Sequence, residues 1–149
     1  STTHSLIFKT STCLGESCFY MPDLIIKDSQ LSVEEVIEKL KEAVPNYKFG
    51  ILHSYDIKQT LASKGQTLTE ECHVFEICNP VVAKNILEMD MDLASVLPCR
   101  ISVYTKDGAT KVGMASPTKH IAQLTDLDLS QVIDPVEQAL INIIDQSIA

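Results

Sequence analysis

The four residues Lys106-Asp107-Gly108-Ala109 constrain this chain more than any others. Asp-Gly between two alternating runs is turn chemistry for a tight hairpin, so residues 98–104 and 110–115 are predicted to pair as antiparallel strands. Upstream, shorter strand-like runs alternate with segments that carry helix-start signals, which excludes an all-helical or all-β chain. Four or five strands interleaved with helices, with an antiparallel hairpin late in the order, predict an α+β fold. Its form is a two-layer sandwich, a mainly antiparallel sheet with helices packed on one face.

The helix starts are specific. Ser32 with Glu35 three residues on forms a capping-box pattern, flanked by Leu31 and Val36 as a hydrophobic staple. Val33, Val36, Ile37, Leu40 and Val44 then fall on one helical stripe, which Pro45-Asn46 ends. Asp56 and Gln59 repeat the capping pattern for a short helix that stops at Gly65. Asn79-Pro80 supplies a cap and a first-turn proline for a helix to about Met89. Ser116-Pro117 opens another short helix, and Asp134-Pro135 is read as the cap of a final helix carrying Val136, Leu140, Ile143 and Ile144. Between them, strands are expected at 24–26, at 49–55 with Phe49, Ile51, His53 and Tyr55 sharing a face, and at 72–78. In this last strand Cys72, Val74, Glu76 and Cys78 alternate with His73, Phe75 and Ile77, so both faces are of mixed polarity. Residues 1–21 read as an N-terminal extension with one β-like run at 5–8, and 22–149 as a single domain.

Composition narrows the partners. The 149 residues carry a formal net charge of −8, which argues against binding a nucleic-acid backbone or an anionic membrane surface, since both need clustered Lys and Arg. No run approaches the roughly 18 apolar residues of a membrane helix. A soluble chain is expected, cytoplasmic or secreted after processing, because Ser1 rather than Met stands first. Five cysteines, Cys13, Cys18, Cys72, Cys78 and Cys99, are an odd number and contain no C-x-x-C spacing, so neither a fully paired framework nor a zinc motif is indicated. Cys13 and Cys18 are spaced to close a small loop if oxidised.

Asp56-Ile57-Lys58-Gln59-Thr60-Leu61, then Cys78-Asn79-Pro80 with Ala83, then Leu97-Pro98-Cys99 resemble, in order and spacing, the domain of unknown function 302 family over about residues 22–149. The resemblance implies a TATA-binding-protein-like α+β fold that does not bind DNA, pairing into homodimers, and no generally established activity. It also brings in haem held at a dimer interface. The extension with Cys13 and Cys18 lies outside the family pattern, and Glu76 stands where a small residue is usual.

The candidate chemistry is then as follows. Cys78 directly precedes the Asn79 cap, where a helix N-terminus lowers a thiol pKa, and Cys99 opens the next strand; together they are either a reactive thiol, a redox pair or a soft metal site, or two small core residues. His53 and His73 are either haem or metal ligands, or edge and surface histidines. His120 is read as solvent-facing, and His4 lies in the extension. Glu76 is either a buried acid–base group or a solvated residue paired across the sheet. The leading expectation is a non-enzymatic homodimeric domain binding a small apolar or planar ligand, haem among the possibilities, through His53, His73, Phe75, Tyr55, Cys78 and Asn79. The alternative is a thiol-based enzyme or redox protein using Cys78, with Cys99 as resolving thiol and a histidine as base.

Overall fold

A computed structural model describes residues 23–149. The expected strand at 5–8, His4 and the Cys13–Cys18 loop lie outside the described residues. The elements in chain order are β1 (Leu24–Ser29), α1 (Val33–Ala43), β2 (Gly50–Asp56), α2 (Ile57–Ser63), β3 (Cys72–Cys78), α3 (Pro80–Met89), β4 (Cys99–Lys106), β5 (Ala109–Ala115), α4 (Pro117–Leu124) and α5 (Ser130–Ile148). Short 3-10 turns at Val44–Tyr47 and Met91–Val96 follow α1 and α3. The strands form one antiparallel sheet in the order β1-β5-β4-β3-β2.

The local rules act where the sequence places them. Ser32 Oγ accepts from Glu35 N at 3.2 Å and donates to the Glu35 carboxylate at 3.1 Å. Asp56 accepts from Gln59 N at 3.0 Å, and Asn79 from Val81 N and Val82 N. Asp107 and Gly108, at φ 53° and 80°, make the predicted hairpin turn. Lys106 and Ala109 are its last paired residues, so β4 and β5 run in tight antiparallel register.

α1 and α5 pack side by side on one sheet face. Val36, Leu40, Leu140, Ile143 and Ile144 interlock there with Phe75, Ile77, Ile101, Val103 and Val112, all almost fully excluded from water. Burying a side chain of this size is worth about 1.5–3 kcal/mol, so this layer carries most of the stability. α3, α4 and the start of α5 gather instead around one end of the sheet. There Ile86, Leu93, Ile121, Leu129 and Ile133 form a second, smaller core.

Two sequence expectations are corrected. The alternation of β2 does not run through: a register shift between Ile51 and His53 sets Ile51 opposite Ile77 but His53 opposite Glu76. A β-bulge at Leu52 has this effect, because one extra residue reverses every later side chain. Phe49 and Ile51 therefore join the core, while His53 and Tyr55 lie on the other face. The last helix, in turn, begins at Ser130 and not at Asp134, with Pro135 inside it. Asp128 serves the N-terminal end, accepting from Ser130 N at 3.1 Å, and Asp134 instead accepts from Thr118 of α4 at 3.4 Å. Proline costs least in the first turns of a helix. Here the apolar stripe of Ile133, Val136, Leu140, Ile143 and Ile144 holds α5 on the sheet across it.

Candidate functional site

The sheet ends that matter are where β3 stops at Cys78, β4 starts at Cys99 and β5 stops at Ala115. The main core does not close there. Between it and the smaller core lies a cavity of about 290 Å³, close to the lower end of small-ligand sites, roughly 300–1,000 Å³. Its floor is Ile77, Val136 and Leu140; its walls are Val82 and Ile86 of α3, Val96 of the 3-10 turn and Ile121 of α4. Ser116 fixes the α4 wall. Its buried hydroxyl accepts from Lys119 N at 3.2 Å and donates to Glu137 of α5 at 2.6 Å.

The polar groups around this space are Cys78, Asn79, Ser95, Cys99, Arg100 and His120. Asn79 uses its side-chain oxygen on the first turn of α3, which leaves its amide N–H groups for a ligand. Cys78 and Cys99 are reduced. Burial pushes the Cys78 thiol up, and burial together with the neighbouring Cys78 pushes Cys99 up to about 11. The expected lowering at a helix N-terminus is thus reversed. Asn79 already satisfies the first free N–H groups of α3, and desolvation of the sulfur dominates. Two protonated thiols at neutral pH are weak nucleophiles.

The remaining predicted residues separate into three places. Phe75 is inside the main core. His73, on the core-facing side of β3, has its Nε2 3.6 Å from the Glu71 carboxylate. His53, Tyr55 and Glu76 lie on the sheet face opposite α1 and α5. There His53 stacks on Tyr55 with ring centroids 6.2 Å apart, and Glu76 sits between His53 and Arg100 in the strand register. Hydrogen bonding to Glu76 raises the Tyr55 phenol pKa, burial and the carboxylate charge add to this, and Arg100 opposes it. On the same face Leu24 and Ile26 are exposed. Tyr104 packs over Gly113, where a Cβ would come within 3.2 Å of Ile26 and 3.6 Å of Tyr104. The histidines thus occupy opposite faces, and neither borders the cavity. Among the described residues no group of three or more His, Cys, Asp and Glu side chains is placed to hold a metal ion, and no helix is long and apolar enough to cross a membrane.

Reading the sequence missed Arg100 and His120. His120 is exposed as expected, yet it stands at the cavity mouth. Arg100 had a visible signal: it is the only arginine in the chain, directly after Leu97-Pro98-Cys99.

The family model described as "Domain of unknown function DUF302" matches residues 25–147. A crystal structure of an uncharacterized conserved DUF302 protein from Bacillus stearothermophilus is similar to this chain at 28% sequence identity. Its TM-score is 0.80, and the match covers 85% of this chain and 98% of that one. Among curated proteins no relative is found.

Proposed function

The chain belongs to the domain of unknown function DUF302 family, and from that premise we propose that it is a non-enzymatic domain binding a small, mainly apolar ligand in the cavity at the end of its sheet. The observation that carries this reading is the cavity itself: apolar walls from four helical segments, with a few convergent polar groups at one side. That combination is the usual build of a small-molecule site. The raised thiols of Cys78 and Cys99 favour this reading over a thiol enzyme.

The test uses phenylnaphthylamine, an uncharged fluorescent probe. It should bind saturably, and Ala83→Phe, which places a ring in the cavity, should abolish binding while the domain stays folded. Binding unaffected by Ala83→Phe would place the ligand elsewhere.

The working unit in this proposal is a homodimer formed through the open sheet face. Leu24, Ile26 and Tyr55 are exposed there, and Glu76 beside Arg100 gives the face both signs of charge, as a two-fold pairing with itself requires. Haem on this face would need a second copy as its roof, since Tyr55 is exposed there and the helices α1 and α5 cover the other face. His53 is the residue that would then hold the iron. Light scattering at micromolar concentration should give the mass of two chains, and a single-chain mass removes the dimer and the haem site together. A dimer in whose presence added haem keeps the spectrum of free haem removes the haem site alone.

A further inference from the structure

Resting on the reading of the open sheet face as a homodimer interface, we propose that Arg100 and Glu76 pair reciprocally across the two-fold axis, Arg100 of each chain with the partner subunit's Glu76. The axis then runs parallel to the strands, midway between β3 and β4.

The strand registers lay the open-face side chains out in rows. One row runs Arg100, Glu76, His53. The next runs Ile26, Gly113, Ser102, Val74, Tyr55, and the last Asp28, Lys111, Tyr104, Cys72. The charges in these rows are not equally engaged. Asp28 and Lys111 neutralise each other at 2.7 Å. Arg100 is exposed, and although Glu76 lies opposite it in the register, none of the ion pairs among the described residues includes it. Glu76 accepts from the Tyr55 hydroxyl, which leaves its carboxylate acceptor sites for a further donor.

The cation is also of the type an interface selects. Of twelve basic residues eleven are lysine, and the single arginine stands on this face. Arginine is enriched at protein interfaces and lysine depleted, because a weakly hydrated planar guanidinium tolerates desolvation and grips a carboxylate through two parallel bonds. A two-fold contact sets each residue against the image of another, and the reverse contact follows. An axis along β4 at this row would set Arg100 against its own copy, and one along β3 would do the same to Glu76. An axis across the strands along the row would oppose both like pairs. Like charges facing each other across an interface are costly. The axis between β3 and β4 gives two unlike pairs from one operation. It also lays β4 on the partner's β3 and β5 on the partner's β2. Ser102 then faces the partner subunit's Val74, and the ring of the partner subunit's Tyr55 lies over Gly113, which has no side chain of its own, beside Ile26.

Charge exchange tests the pairing, read by light scattering over a dilution series with no ligand added and with melting curves to follow folding. Arg100→Glu and Glu76→Arg should each weaken dimerisation about a hundredfold, since each sets like charges against each other twice. Mixed in equal amounts the two variants should recover the mass of two chains, because each supplies the charge that the other lacks. The mixture is the decisive arm, since neither variant holds an unlike pair within its own chain. The double variant, with both charges exchanged, should dimerise like the parent. Arg100→Gln should weaken the dimer without reversing a charge, which keeps the test open if a reversed charge prevents folding. Single variants that dimerise like the parent, or a mixture that stays at the mass of one chain, overturn the reciprocal pair while the homodimer stands. A parent chain that is itself monomeric at micromolar concentration overturns both.

Discussion

Ser116→Ala is expected to lower stability by about 2–3 kcal/mol, the largest effect of any single cap in this chain. The hydroxyl does two things at once. It accepts from Lys119 N in the first turn of α4, a contact worth about 1 kcal/mol in such positions. It also donates to the Glu137 carboxylate at 2.6 Å, tying α4 to α5; hydrogen bonds to charged groups contribute about 1.5–3 kcal/mol. Ser116 is 1% exposed, so water cannot replace either bond without opening the α4–α5 contact. For a domain of about this size 1 kcal/mol corresponds to roughly 2–4 °C, which puts the expected fall in melting temperature at about 5–10 °C. Calorimetry of the parent and of Ser116→Ala, Glu137→Gln and the double variant supplies the magnitude and the coupling. Because α4 is a cavity wall, Ser116→Ala should also weaken phenylnaphthylamine binding. A fall below about 2 °C, or additive losses in the cycle, would show that the two helices are not held together through this hydroxyl.

Other expectations follow from single contacts. Ser32→Ala removes the Glu35 N acceptor and the hydroxyl that bonds the Glu35 carboxylate, both at an exposed cap, so it should cost about 1 kcal/mol, and an unchanged melting curve would mean that α1 does not depend on it. The Asp128 carboxyl is held below the usual range by the hydroxyl and N–H of Ser130. A depressed native pKa stabilises the fold above the unfolded value and loses that contribution as pH falls through the native one. Asp128→Asn should therefore flatten the acid limb of stability against pH, and an unaltered limb would refute the assignment. With its pKa pushed up to about 11, Cys99 carries roughly a thousandth of its sulfur as thiolate at pH 8. Timed alkylation of the native protein should label it after Cys72 and Cys78, and early labelling of Cys99 would contradict the buried site.

Much of this fold is legible in the residues because its signals are local. Asp107-Gly108 fixes the hairpin, and Ser32, Asp56, Asn79 and Ser116 each mark a helix start whose oxygen accepts a first-turn N–H. The bulge at Leu52 has no such mark, since it arises from matching β2 to β3, and it moves His53 and Tyr55 to the opposite face. The start of α5 was hidden by Pro135, which looked like a boundary and is tolerated because the apolar stripe on both sides of it is buried. The site was half legible. Cys78, Asn79 and Cys99 flank the strand ends that border the cavity, so their motifs lie beside it. Arg100 and His120 border it from separate elements, the start of β4 and α4, and sequence spacing does not report that both end at one cavity.

Isoleucine methyl resonances locate the ligand directly, because isoleucines line the cavity and also lie outside it. On titration with phenylnaphthylamine the methyl signals of Ile77, Ile86, Ile121 and Ile133, which border the cavity, should shift together and saturate. That of Ile26 on the open sheet face should stay in place. Shifts centred on Ile26, with the four cavity isoleucines unmoved, would contradict the cavity as the binding site and move it to the open face beside His53 and Tyr55.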